Sequence, residues 1–172
     1  VLVLLLLSWS ASHAVVDGLE RHWSRSAVIT FELPFPDDVE QRYNLVGRSA
    51  SLDISHVVLT GFFSGWNPDD GNYRMEKSAD GKWRIPVRFP PGDNQYKFAV
   101  HDADSGEVYW VYDKKAGIKT SDSFGGYNSA YRVYNADTVR LHLNIVFAGF
   151  AIILVLFFVL NPLFRRSLRF RT

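Results

Sequence analysis

Cysteine is absent from this 172-residue chain, and methionine occurs once. Lack of thiols excludes disulfides, thiolate metal sites and a cysteine nucleophile together, so any folded domain must stand on packing alone. A basic excess is also missing. All 18 acidic residues lie between Asp17 and Asp137, and they outnumber the basic residues of that stretch. Phosphate neutralisation needs a positive surface, so no nucleic-acid partner is expected. Catalytic patterns are lacking as well. The five histidines, His13, His22, His56, His101 and His142, show no spacing of the H-E-x-x-H kind, and Gly61-Phe62-Phe63-Ser64-Gly65 sets its serine one position late for a nucleophile elbow. In Asp102-x-Asp104-x-Gly106-Glu107 the glycine comes one residue early for a calcium loop and the distal glutamate is missing, so a polar hairpin tip is expected. Gly125-Gly126 has no phosphate-loop context. An enzyme is therefore not expected, nor a metal or a cofactor.

What the chain does have is apolar length at both ends. Ile145 to Leu160 carries no charged or polar side chain, and Arg165, Arg166, Arg169 and Arg171 follow it. Widened to 141–164, the segment spans about 36 Å as a helix, enough to cross a hydrocarbon core of about 30 Å with some tilt. Cationic flanks stay on the cytoplasmic side. The basic tail, 165–172, is thus expected in the cytoplasm and the central domain outside it, which reads as integral to a cell (inner) membrane with a periplasmic domain. His142 and Asn144 near one end of the span and Asn161-Pro162 near the other suit headgroup depth, while Ala148, Gly149 and Ala151 offer a small-residue seam for another helix. At the other end, residues 1–14 open with Val1 to Leu7, wholly apolar. Two readings stay open: a secretory signal cleaved after Ala14, or a retained membrane helix. The second is expected, with the indoles of Trp9 and Trp23 at the membrane interface. One or two transmembrane helices result.

Between the ends, short β-rich runs recur with turn signals between them: Ala27 to Leu33, Ser51 to Gly61, Tyr73 to Lys77, Lys82 to Phe89, Gln95 to His101, Glu107 to Asp113 and Asn128 to Tyr134. Such spacing predicts an all-β sandwich. Alternation is clearest in Gln95–Val100, where Tyr96, Phe98 and Val100 fall on one face, expected to be the core side, and Gln95, Lys97 and Ala99 on the other. Residues 15–50 form a juxtamembrane segment and first strands, with a short helix capped by Asp17 expected at 17–23. Asn135 or Asp137 is expected to cap the C-terminal helix.

The order of motifs then becomes informative. Val58-Leu59-Thr60-Gly61-Phe62-Phe63-Ser64-Gly65-Trp66, Asp80-Gly81-Lys82-Trp83, Pro91-Gly92-Asp93-Asn94-Gln95-Tyr96-Lys97-Phe98, Tyr109-Trp110 and Gly126-Tyr127-Asn128-Ser129 follow one another. This succession resembles the family-48 carbohydrate-binding module, the early-set immunoglobulin-like glycogen-binding domain found in the β subunit of AMP-activated protein kinase. The resemblance covers about residues 51–133, within a sandwich read as 51–135. It implies an immunoglobulin-like fold and a sugar site of two tryptophans, a lysine and an asparagine, which here would be Trp66, Trp110, Lys97 and Asn128. Glucose rings present C–H faces that stack on indoles and hydroxyls that need fixed donors and acceptors. Three departures stand out: Gly126 replaces a threonine, Phe124 a leucine, and Asp102 to Glu107 lengthens the hairpin before Trp110.

The same residues have a plainer reading, in which Trp66 and Trp110 pack on loops or a partner and Lys97 is a solvated strand residue whose stem covers apolar surface. The expectation is accordingly a non-catalytic accessory subunit of a larger integral-membrane complex, of the respiratory or photosynthetic kind. It would dock its β-domain on the extracytoplasmic face, with other membrane subunits and the lipid bilayer as partners. The alternative is a membrane-anchored α-glucan-binding module of the glycogen or maltodextrin type.

Overall fold

The computed structural model describes residues 9–11, 13–19 and 27–169. Expectations that fall on Val1–Leu7, Ser12, Trp23 and Arg171 lie outside the described residues, as do the side chains of Arg165, Arg166 and Arg169. Two units make up the chain, one of Arg25–Val133 and one drawn from the two ends.

In the first unit, β-rich runs and turn residues fold as their alternation predicts. The elements are β1 (Ala27–Phe31), a short helix α1 (Asp37–Arg42), β2 (Ile54–Gly61), β3 (Glu76–Lys77), β4 (Trp83–Val87), β5 (Gly92–Asp102), β6 (Val108–Val111), β7 (Ile118–Ser121) and β8 (Tyr127–Val133). They form two antiparallel sheets. One has the order β1-β4-β3; the other runs β2-β5-β8-β7, with β6 also paired to β5. The long β5 organises the second sheet. Its 96–102 stretch pairs with β2, while its other edge carries β8 against Gly92–Tyr96 and β6 against Phe98–His101.

Between the sheets lies a single apolar cluster. Ile29 and Phe31 from β1 and Trp83, Ile85 and Val87 from β4 meet Val57 and Leu59 from β2 and Tyr96, Phe98 and Val100 from β5. The expected core face of β5 is therefore the observed one. On its opposite face Lys97 and Ala99 are buried too, so Lys97 is not the solvated strand residue of the plainer reading. β5 is flanked on both edges, and Asp122 after β7 pairs with Lys97 on its outer face.

Two elements went unread in the sequence. Helix α1 has acidic residues in its first turn and Arg42 in its last, which suits the helix dipole, but it buries only Val39 and so shows no apolar stripe. Strand β7, Ile-Lys-Thr-Ser, alternates between half-buried and exposed at a sheet edge and carries one large apolar residue. Neither has the hydrophobic content that marks an element.

Gly61, where β2 ends, has a steric reason to be glycine. A Cβ there would stand 2.2 Å from the Gln95 carbonyl oxygen and 2.7 Å from Phe63. The oxygen belongs to backbone in the middle of the sheet and cannot step aside. Gly61→Ala is expected to destabilise the domain by about 1–3 kcal/mol, the usual cost of overpacking. A thermal melt indistinguishable from that of the unchanged chain would show that β2 and β5 are not held this closely.

In the second unit, α2 (Ala136–Arg169) begins as expected at Asn135, whose Oδ1 accepts from the N–H groups of Asp137 (2.9 Å) and Thr138 (3.4 Å). Within it, 137–162 is long and apolar enough to cross a membrane. Ile145, Val146, Phe150, Ile153, Leu156 and Phe157 are all exposed, so the helix is apolar around its circumference, as a span facing lipid is. Of the small-residue seam, Ala151 is buried whereas Ala148 is exposed. Residues 9–11 and 13–19 are helical, which places Asp17 inside a helical run rather than at its start. Trp9 is exposed and lies 4.4 Å from the His13 ring.

Candidate functional site

The outer face of the second sheet is set by the β5 register. With Tyr96, Phe98 and Val100 turned inward, Gln95, Lys97, Ala99 and His101 turn outward, and their partners across the ladders are Thr60 opposite Lys97, Val58 and Trp110 opposite Ala99, and His56 opposite His101. Over the first half of this face opens a cleft of about 550 Å³, within the usual range of small-molecule sites. Trp66, Lys97, Trp110 and Asn128 all line it. Four positions spread over 62 residues of chain, taken from the resemblance alone, thus meet in one concavity. The longer hairpin before Trp110 does not remove that indole, because the extra residues close on themselves. Asp102 accepts hydrogen bonds from Ser105 Oγ (2.6 Å) and from the N–H groups of Asp104 and Ser105, leaving β6 in register.

Trp66 is presented by unusual backbone. After Gly61 the chain makes a 3-10 turn, Phe62–Ser64, in which Ser64 Oγ accepts from the Gly61 N–H at 3.0 Å. Gly65 and Trp66 then both adopt left-handed conformations, with φ of 59° and 57°. For a tryptophan this costs about 1 kcal/mol or more. A hydrogen bond from Trp66 N–H to the Gly61 carbonyl, 2.9 Å, and an edge-on contact with Phe62 at 5.5 Å hold the residue there.

Lys97 does not behave as a solvated strand residue. Its side chain is 10% exposed and pairs with Asp122, 5% exposed, at the end of β7. Burial alone would raise the Asp122 carboxyl, but the Lys97 ammonium and the N–H groups of Phe124 and Gly126, both 2.8 Å from Oδ1, outweigh it and hold the group down at about 2. Lys97 uses one of its three donors on this pair and keeps its ammonium at the cleft wall. Beside it, Asn128 donates from Nδ2 to Gln95 Oε1 at 2.9 Å, which fixes both amides and leaves the Asn128 carbonyl and the Gln95 NH₂ for other partners. The cleft therefore offers a cation, an acceptor and a donor, all preset.

Several cleft residues were not foreseen. Arg42 and Tyr43 arrive at the end of α1, and Phe62, Gln95, Asp122 and Phe124 are among the rest of the lining. Gln95 and Phe62 stand inside the motifs that carry the resemblance and could have been found by their nearness to Lys97 and Trp66. Asp122 could not, since it lies 25 residues from Lys97 in a stretch with no apolar pattern. Arg42 Nη2 donates to the Gly125 carbonyl at 2.7 Å. A Cβ at Gly126 would stand 2.8 Å from both Arg42 Nη2 and Asp122 Oδ2. The absence of a side chain at Gly126 thus leaves room for the guanidinium to lie against this turn.

Taken together, the cleft is lined by the aromatic rings of Trp66, Trp110, Tyr43, Phe62 and Phe124, by the Lys97–Asp122 pair, by the amides of Gln95 and Asn128, and by Arg42, which leaves an excess of one positive charge. Phe124, at its rim, is 88% exposed. Such a surface suits a ligand with apolar faces and hydroxyl edges. No protein-family model matches the chain, and no curated protein matches it well enough to count as a relative.

Proposed function

We propose that this chain is a membrane-tethered module that binds an α-glucan of the glycogen or maltodextrin type, without catalysing a reaction, through the cleft over β5. The observation that carries this reading is the meeting of Trp66, Trp110, Lys97 and Asn128 in one cleft with preset polar groups. Indoles stack on the C–H faces of glucose, and Lys97, Gln95 and Asn128 answer its hydroxyls. A concave wall suits a curved α-linked chain better than a flat one. In this reading the two sheets are an early-set immunoglobulin-like sandwich. Helix α2 crosses the inner membrane, the arginines after it stay in the cytoplasm, and the sandwich faces an extracytoplasmic glucan.

Native electrophoresis of the detergent-solubilised chain through gels containing soluble α-glucan tests the proposal. Retardation relieved by free maltoheptaose is expected. Docking to other integral-membrane subunits, without a sugar, predicts unchanged mobility and a stoichiometric complex surviving mild detergent, and that outcome would replace the present reading.

A further inference from the structure

On the same outer face, beyond the cleft, β2 and β5 set His56 directly opposite His101. Their rings stack with centroids 3.9 Å apart and planes 15° from parallel. Asp69, on the loop that follows Trp66, turns Oδ1 to within 3.8 Å of His101 Nε2. One ligand atom from each of His56, Asp69 and His101 lies within 4.8 Å of the others.

Hydrogen bonds around the pair set its tautomers. Ser55 Oγ donates its proton to the His101 carbonyl at 3.2 Å and lies 3.0 Å from His56 Nδ1. With its proton so used, the hydroxyl accepts from Nδ1–H, which leaves the lone pair of His56 on Nε2. His101 Nε2 stands 3.0 Å from the Pro68 carbonyl, which can only accept. That proton is the one a metal ion would displace, with His101 passing to its other tautomer and the carbonyl standing by as an oxygen donor.

We propose that His56, His101 and Asp69 form a binding site for a divalent transition-metal ion of the zinc class. Two imidazoles and a carboxylate, with a fourth position open to water or the Pro68 carbonyl, match the donors and number such ions take. The two histidines ride on paired strands, which fix their backbones, and an imidazole turning out of the stack about its side-chain bonds brings both lone pairs onto one ion. Asp69 is 74% exposed and free to close the remaining distance. An ion here would tie the loop carrying Trp66 to the sheet, yet the site stands whether or not the cleft binds sugar. Linear spacing could not reveal it, because the histidines are brought together by strand pairing.

The test uses the full chain in detergent micelles, stripped with a chelator and titrated with Co²⁺. One equivalent giving the visible bands of a low-symmetry four- or five-coordinate site, displaced by Zn²⁺, is expected. His56→Gln and Asp69→Asn should each weaken Co²⁺ binding by about tenfold or more, since even supporting residues of such sites cost that much. The exposed side chain of Asp69 makes its variant safe to fold, and His13, His22 and His142 remain in both as internal controls. No saturable spectrum in the unchanged chain, or an isotherm unaltered by Asp69→Asn, would overturn the site.

Discussion

Trp66→Ala and Trp110→Ala are each expected to weaken maltoheptaose binding about tenfold, and the double variant about a hundredfold, at 1.4 kcal/mol per factor of ten. The magnitude follows from surface. An indole face covered by a pyranose ring is worth about 1–2 kcal/mol in burial and stacking. The two indoles come from separate elements, the turn after β2 and the middle of β6, so their losses should add. Neither ring belongs to the core cluster, which means truncation should leave the melt nearly unchanged. Intrinsic tryptophan fluorescence follows both the titration and the fold. Trp83 is the control for the opposite case: it is a buried core residue, so Trp83→Ala should lower stability first, by about 3–5 kcal/mol. If both single cleft variants bind as the parent does, the indoles are packing surface and the sugar reading falls.

The second large effect concerns the Lys97–Asp122 pair. Removing the ammonium in Lys97→Met leaves a carboxylate that is 5% exposed with only its N–H donors from Phe124 and Gly126. Breaking a buried pair in this way costs about 3 kcal/mol or more. For a domain of this size that is a fall in melting temperature of roughly 10 °C or more. Removing both charges, in Lys97→Met with Asp122→Asn, should restore much of the stability, because no unpaired charge remains, yet it deletes the cation at the cleft wall and should still impair binding. Stability and binding therefore separate in this pair of variants. Acid should reproduce part of the effect. Asp122 titrates at about 2 in the fold against 3.8 ordinarily, so its contribution is complete above pH 4 and is lost as pH falls from 4 toward 2. Circular dichroism melts of the single variant that coincide with the parent's at neutral pH would refute the pair's structural role.

How far the residues announce this arrangement depends on what each signal measures. Alternation in Gln95–Val100 located the core face of β5, and Asn135 its helix start, because periodicity and caps are local properties. The apolar span in α2 was legible for the same reason. Burial of Lys97 was not, since it depends on Asp122, and nothing in a polar stretch such as 113–127 says that it folds back as an edge strand. Arg42 reached the cleft by the same route, from a helix too short to show a stripe. The four residues named from the resemblance came together, whereas their supports had to be seen in three dimensions. His56 and His101 make the sharper contrast, being 45 positions apart and stacked at 3.9 Å.

Calorimetric titration of the unchanged chain in micelles with maltoheptaose, run beside cellohexaose, tests the central claim most directly. One saturable site for the α-linked sugar, and a clearly weaker one for the β-linked sugar, is the predicted result. An absence of saturable heat with maltoheptaose, in a sample whose melt shows an intact domain, would contradict it.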